Sequence, residues 1–316
     1  MIELKHISKH YGDTRALADV SFSIKKGEII GFVGPNGAGK STTMKIITTF
    51  TAPTSGTAKV GGFDVLEQPF EVRRMTGYLP ERVPLYEDML VCEYLDFIGQ
   101  ARHLNGNFKS RFEWVVDACG LENVLKRKIG VLSKGYKQRT CLAQALIHDP
   151  EVLILDEPTS GLDPLQIIGI RNLIRNLSHT KTIILSTHIL PEVATIADRI
   201  LVINQGHIVG SGTFDELIKT VTDRASVYLS VKSSKKDFES ALKAIPEIEE
   251  ISHDPSSPRG VCSAHLYYAG KRDIVDSLNK VIREKEWTIL DFQRERLSLE
   301  ESFIRLTKGR EEEARV

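Results

Sequence analysis

Residues 34–42, GPNGAGKST, combine phosphate-binding residue types in the spacing G-x-x-x-x-G-K-[ST]. An apolar run precedes this segment and a helical pattern follows it. Glycines let successive backbone N–H groups turn towards one anion, and the start of the following helix adds its positive end. Lys40 can place a charge between β- and γ-phosphates, and Ser41 offers a hydroxyl to Mg²⁺. The segment therefore predicts a nucleotide phosphate site formed by Gly34, Pro35, Asn36, Gly37, Ala38, Gly39, Lys40, Ser41 and Thr42.

Two adjacent carboxylates end a second apolar run, EVLILDE at residues 151–157. In open α/β sheets, ligands bind outside the carboxyl ends of the strands, where Asp156 and Glu157 would lie. We expect Asp156 to hold Mg²⁺ and Glu157 to polarise an attacking water. A solvated acidic strand end is the alternative interpretation.

A second anion site is indicated by VLSKGYKQR at residues 131–139, where Ser133 and Gly135 lie at the start of a basic helical pattern. The N–H groups of a helix start are free to bind an anion. An ordinary capped helix would account for the same residues, so the segment alone leaves both interpretations open.

The elements that must position these residues predict an α/β domain at residues 1–222. Apolar runs at residues 28–34, 151–157 and 181–187 are typical of buried parallel strands. Strand patterns stop near residue 80 and helical periodicity replaces them. We therefore predict a helical subdomain at about residues 82–150, inserted into the sheet core.

Residues 223–310 have a different pattern, with strands and helices in the order β-α-β-β-α-β and a closing amphipathic helix at residues 299–308. This order predicts a small ferredoxin-like α+β domain. It could serve as a dimer prop or as a regulatory sensor. Residues 311–316 are expected to form a solvated tail.

Composition restricts the possible partners. The 316 residues include 42 Lys and Arg and 42 Asp and Glu, so no overall charge attracts nucleic acid or anionic lipid. The four cysteines show no paired spacing, which fits a reducing compartment. No run approaches the roughly 18 apolar residues of a spanning helix. We expect a soluble, cytosolic protein that reaches membranes only through a partner and binds no nucleic acid.

Taken together, the motifs resemble the ATP-binding subunits of ABC transporters over about residues 2–220. The resemblance implies a P-loop NTPase fold, ATP and Mg²⁺ as cofactors, and a homodimer that holds each ATP between two copies. Ser133 and Gly135 would then face the γ-phosphate bound by the partner copy. Lys134 and Tyr136 depart from the usual Gly and Gln of this signature segment.

The same resemblance implies roles for three further residues. Tyr11 would stack on adenine, although mere packing would also explain a ring there. Asp163, in SGLDP at residues 160–164, would sense the other subunit. His188 would contact the γ-phosphate and orient Glu157, so that Glu157, His188 and Lys40 form the catalytic set.

Glu81 occupies the position where the family usually has Gln, and it could ligate Mg²⁺ or its water. With this loop, the signature segment and the additional C-terminal domain, the chain resembles ATPase subunits of bacterial drug, polysaccharide or lipid exporters, and most of all the gliding-motility-associated type. Such a subunit drives a separate integral-membrane permease from the cytoplasmic face of the membrane. A non-transport ATPase acting on ribosomes or DNA is the alternative, and a regulatory protein with residual nucleotide binding is a third.

Overall fold

The computed structural model describes residues 1–82, 84–104, 106–178, 180–221, 224–254, 257–258, 260–269 and 274–295. The chain divides into two compact units, Met1–Phe214 and Asp215–Val316. The predicted boundary after residue 222 lies at the end of helix Phe214–Val221, whereas the contacts divide the chain at the start of this helix. All of the predicted site residues belong to the first unit.

The strands of the first unit form two sheets. In chain order the strands are β1 (Ile2–Tyr11), β2 (Thr14–Ile24), β3 (Ile29–Val33), β4 (Ser55–Val60), β5 (Phe63–Asp64), β6 (Thr76–Leu79), β7 (Val152–Asp156), β8 (Thr182–Thr187), β9 (Arg199–Asn204) and β10 (His207–Gly212).

The larger sheet has the strand order β10-β9-β3-β8-β7-β6. Strands β9, β3, β8, β7 and β6 pair in parallel, and β10 pairs with β9 in an antiparallel hairpin. Every residue of β3, β7 and β8 is buried, which confirms the expectation from their continuous apolar runs. Because these strands run in one direction, their carboxyl ends meet at one edge of the sheet.

The helices of this unit flank the larger sheet or form the inserted segment. They are α1 (Lys40–Ile47), α2 (Pro69–Met75), α3 (Val91–Ala101), α4 (Phe108–Cys119), α5 (Lys134–Leu146), α6 (Pro164–Ser178), α7 (Leu190–Ala194) and α8 (Phe214–Val221), the last crossing into the second unit. Between β6 and β7, the described residues contain only helices, short 3₁₀ turns and loops, apart from one isolated bridge between Leu90 and Lys128. The predicted helical subdomain is therefore present.

The smaller sheet is antiparallel, with the order β2-β1-β4-β5, and the sequence did not predict it as a separate layer. Residues from both sheets and from α1 share one buried core. Met44, Ile46 and Ile47 of α1 are fully buried within it. This packing fixes the helix that follows the phosphate segment, and so fixes the direction of its N-terminus.

The second unit has the predicted order of elements: β11 (Arg224–Lys232), α9 (Lys235–Lys243), β12 (Ile248–His253), β13 (Val261–Ala269), α10 (Val275–Glu284) and β14 (Thr288–Glu295). Its antiparallel sheet has the order β12-β13-β11-β14, which is the ferredoxin-like arrangement. The predicted closing helix and the tail lie outside the described residues. Within the described part of the chain, no helix is both long and apolar enough to span a membrane.

Candidate functional site

The phosphate segment connects β3 to α1 as a tight loop that depends on glycine. Gly37 and Gly39 adopt φ angles of 80° and 109°, in the left-handed region. A Cβ on Gly39 would lie 2.7 Å from Leu17 Cδ2 and 2.8 Å from the Ala16 carbonyl oxygen. The loop therefore requires glycine at position 39 for both its backbone conformation and its packing.

This loop forms one wall of a cavity of about 350 Å³. Among the described residues, none accepts a hydrogen bond from the N–H groups of Gly37, Gly39, Lys40 and Ser41. Converging free N–H groups at a helix start bind phosphate well. The cavity is lined by Ala16, Asn36, Gly37, Gly39, Lys40, Ser41, Thr42, Glu81, Glu157, Ser160 and His188.

The other predicted members of the loop shape it from behind. The Gly34 carbonyl accepts a 2.7 Å hydrogen bond from Lys40 Nζ, and the Pro35 carbonyl accepts one of 3.2 Å. Pro35 also accepts from the N–H of Ala38, which is buried. Lys40 Nζ lies 3.4 Å from Glu157 Oε1, so the ammonium is compensated by a buried carboxylate beside the phosphate cradle.

Asp156 and Glu157 follow one another at the carboxyl end of β7, and the neighbouring strand β8 holds both. Ser186 Oγ donates a 2.5 Å hydrogen bond to Asp156 Oδ1 and accepts one of 3.1 Å from the Glu157 N–H. Glu157 has a φ of 51°, an uncommon conformation for a side chain of this size. Sequence reasoning missed Ser186, although a polar residue at the end of an apolar strand was a usable signal.

His188 also faces Glu157, with Nδ1 3.0 Å from Oε2. Glu157 is buried and the His188 side chain is 44% exposed, so the ring lies at the mouth of the cavity.

The loop after β8 is held by a second buried carboxylate that the sequence did not indicate. Glu192 accepts hydrogen bonds from Thr159 Oγ1 at 2.7 Å and Thr187 Oγ1 at 3.0 Å.

Oxygen donors suited to Mg²⁺ surround a second cavity of about 590 Å³, which adjoins the first. Ser41, Glu81 and Asp156 line it, and Ser41 and Glu81 line both cavities. A hydroxyl and carboxylates are the hard ligands that Mg²⁺ prefers, so this donor set fits the ion. Tyr78 also lines the cavity, and its buried hydroxyl has no hydrogen-bond partner among the described residues. Burial raises the pKa of this phenol, and the nearby Asp156 carboxylate raises it further.

The signature residues lie apart from this phosphate cavity. Ser133 caps α5 and accepts a 3.4 Å hydrogen bond from the Tyr136 N–H. Of the described residues that line the cavity of about 350 Å³, none belongs to α5 or its cap. Ser133 is exposed and Gly135 is buried. The chain thus contains two separate helix starts that could bind an anion.

Two more predicted residues lie beyond the cavity lining. Asp163 caps α6, where its Oδ1 accepts a 2.9 Å hydrogen bond from the Gln166 N–H. Tyr11 ends β1 with its ring 48% exposed and Lys9 Nζ 4.9 Å from the ring centroid. The ring is therefore accessible to a planar ligand.

Comparisons with known proteins agree with this geometry. Residues 17–160 match the family model described as ABC transporter. The chain is 32% identical over 310 residues to the linearmycin resistance ATP-binding protein LnrL of Bacillus subtilis, covering 97% of this chain and 98% of the relative. It is 32% identical to the bacitracin transport ATP-binding protein BcrA of Bacillus licheniformis, with 98% of each covered.

Solved structures give the same result for the first unit. An ATP-binding subunit of an ABC transporter matches with a TM-score of 0.65 and 31% identity, covering 70% of this chain and 93% of that chain. A dimeric post-hydrolysis state of the ATP-binding cassette MJ0796, bound to ADP and Pi, matches with a TM-score of 0.60 and 26% identity. That match covers 67% of this chain and 98% of the cassette.

Proposed function

The chain belongs to the ATP-binding subunits of ABC transporters, and from that premise we propose how its own residues hydrolyse ATP and where its partners bind. It is an ATPase whose hydrolysis is coupled to transport. The observation that carries the proposed mechanism is the position of Glu157. Its carboxylate lies between Lys40 Nζ and His188 Nδ1, inside the cavity formed by the phosphate loop.

In this mechanism Glu157 polarises a water for in-line attack on the γ-phosphoryl group. Lys40 and His188 stabilise the negative charge that develops on the phosphoryl oxygens. Ser41 and Asp156 would hold Mg²⁺, which would supply positive charge beside the phosphate cradle. Glu81, which lines both cavities, would add a further carboxylate to this site in place of the usual amide. Ser186 keeps Asp156 and Glu157 in register at the strand end.

The test of this mechanism is the ATPase rate of Glu157→Gln, with Glu151→Gln as the matched control. Glu151 precedes the same strand at its opposite end, and among the described residues its carboxylate pairs with Lys26 alone, at the surface. We expect Glu157→Gln to reduce kcat by about 10²–10⁴-fold and Glu151→Gln to have no effect. Wild-type turnover by Glu157→Gln would show that another group polarises the water.

We further propose that two copies bind two ATP molecules between them. Ser133 and Gly135 then contact the γ-phosphate held by the other copy, and Asp163 lies at the contact between subunits. Exposure of the Ser133 cap, away from its own phosphate cavity, supports this arrangement. A dimeric cassette among the structural relatives supports it too. Tyr11 stacks on the adenine.

The membrane partner is proposed to be a separate permease, which places the ATPase on the cytoplasmic face of the membrane. One of its cytoplasmic segments docks in the outer part of the second cavity, of about 590 Å³, beside the Glu81 loop. This outer part is called the groove below. Phe50 lines this groove and is 75% exposed, next to the basic side chains of Lys45, Arg73 and Arg102. Among the described residues these three cations have no carboxylate partner, and cations beside an exposed aromatic ring are suited to a protein contact.

Capture of the tagged chain from detergent-solubilised membranes tests this partner. We expect a polytopic membrane protein to co-purify with the wild type and to be lost from Phe50→Asp. The matched control is Leu66→Asp, because Leu66 is 54% exposed but does not line the groove. Sedimentation of the chain with ribosomes, with no membrane protein retained, would instead favour the non-transport alternative.

Export is the proposed direction of transport. Relatives named for linearmycin resistance, bacitracin transport and probable multidrug transport support it. Membership of the gliding-motility-associated type stays a prediction from the loop and signature strings. Relatives that match nearly the whole chain also extend over the ferredoxin-like unit, for which we propose the two roles expected from the sequence, a dimer prop or a regulatory sensor.

A further inference from the structure

Lys134 stands where the family usually has glycine. Its side chain lies against the loop that follows Glu157 in the chain. A Cβ on Gly161 would collide with the Lys134 ammonium, and would lie 3.1 Å from Cε and 3.4 Å from Cδ. Gly161 has a φ of 68°, which a residue with a side chain rarely adopts. The exposed lysine side chain therefore lies directly against Gly161, at a position whose backbone conformation favours glycine.

Electrostatics alone do not account for this lysine. Lys134 is the first residue of α5, and the first turn of α5 contains no acidic residue. A positive charge at a helix N-terminus is unfavourable. Within the described part of the chain, Lys134 forms no ion pair. Its position is explained by packing against Gly161.

A second contact joins the same two segments in the opposite direction. A Cβ on Gly135 would lie 2.5 Å from Cδ and 2.6 Å from Nε2 of Gln166, in the first turn of α6. Each segment thus contributes a long side chain that covers a glycine of the other. Gln138 of α5 adds a 3.2 Å hydrogen bond from its Nε2 to the Pro158 carbonyl.

The loop that α5 contacts starts at Glu157. The Ser160 N–H donates a 3.1 Å hydrogen bond to the Glu157 carbonyl, and the Leu162 N–H donates one of 3.2 Å to Thr159. Asp163 then caps α6. One continuous path of contacts and hydrogen bonds therefore runs from the signature residues to the backbone of the base in the same chain.

We infer that Lys134 and Gln166 are positioning residues that join the signature segment to the Glu157–Asp163 loop, so that binding of one ATP sets the base for the other. The inference rests on the proposed dimer, in which two copies hold two ATP molecules between them. In a dimer, Ser133 and Gly135 of one chain meet the γ-phosphate of one ATP, whereas Glu157 of the same chain acts on the second. A rigid link between them makes the two sites cooperative.

The test is the Hill coefficient of ATPase activity against ATP concentration, measured with kcat and with the affinity of the monomer for a fluorescent ADP analogue. We expect Lys134→Ala to lower the Hill coefficient from near two towards about one and to reduce kcat, with unchanged ADP affinity. Lys134→Met, which keeps the length of the side chain, should retain cooperativity. Lys137→Ala is the matched control, because Lys137 lies one turn away on α5 and pairs with Glu87.

A double-mutant cycle tests the contact itself. Gly161→Ala should reduce kcat at least about threefold more in the wild type than in Lys134→Ala. The alanine at position 134 is shorter than lysine and leaves room for a methyl group at position 161. Independent effects of the two substitutions, or cooperativity unchanged in Lys134→Ala, would overturn the inference. If the proposed ATP-bound dimer did not form, the result would be different: the wild type itself would show a Hill coefficient near one and no ATP-dependent dimer.

Discussion

His148 allows a quantitative test of how the helical segment is fastened to the sheet. The residue follows α5, and its Nε2 donates a 3.0 Å hydrogen bond to the Thr76 carbonyl at the start of β6. Its Nδ1 is buried without a partner among the described residues. The contact joins the end of the signature helix to the strand that leads into the Glu81 loop.

Burial lowers the pKa of His148 to about 4, and the nearby Arg102 lowers it in the same direction. The ordinary value is 6.5. The unfolded chain therefore binds the proton more tightly, so stability is complete above pH 6.5 and falls as the pH drops towards 4. The difference between these two values corresponds to about 3 kcal/mol of unfolding free energy.

Urea unfolding at pH 7.5 and pH 4.5, followed by circular dichroism, measures this loss. His148→Gln keeps a hydrogen-bond donor but cannot titrate, so we expect its stability to fall by about 2–3 kcal/mol less than that of the wild type over this range. His207→Gln is the control, because His207 is exposed on β10. Equal acid sensitivity of the wild type and His148→Gln would refute the assignment.

Three further predictions concern the nucleotide cavity. Gly39→Ala should weaken binding of a fluorescent ATP analogue by about tenfold or more, because its φ of 109° and its contact with Leu17 exclude a side chain; wild-type affinity would contradict the loop geometry. His188→Ala should lower kcat by about 10²–10³-fold in a phosphate-release assay while monomeric ATP affinity stays unchanged; an unchanged kcat would remove His188 from the mechanism. Glu81→Gln should tighten Mg²⁺-free ATP binding by about threefold to tenfold in calorimetry, because it removes a negative charge beside Ser41; weaker binding would contradict this.

Local patterns were sufficient to predict much of the fold. The phosphate loop, the buried parallel strands and the β-α-β-β-α-β order of the second unit depend on spacing and periodicity within short segments. The antiparallel sheet of β1, β2, β4 and β5 was missed because the pairing of β1 with β4, which joins its two local hairpins into one layer, links segments that are distant in the sequence. Spacing within one segment carries no information about such a partner.

The candidate site shows the same division. Lys40, Asp156 and Glu157 were predictable because each belongs to a motif beside a buried strand. For Ser186 the polar residue at a strand end was a signal, but its partner was not predictable, and Glu192 gave no local signal. Both residues act through hydrogen bonds to residues about thirty positions away. The left-handed conformation of Glu157 likewise arises from its hydrogen bonds to β8, which no local pattern encodes.

The central claim is that two copies of the chain enclose ATP between them. Light scattering of Glu157→Gln in excess ATP and Mg²⁺ measures it most directly, with ADP as the comparison and Ser133→Arg added to block the contact. We expect twice the mass of the chain with ATP, and a single chain with ADP or after Ser133→Arg. A single chain under all three conditions, or a dimer that Ser133→Arg leaves intact, would contradict it.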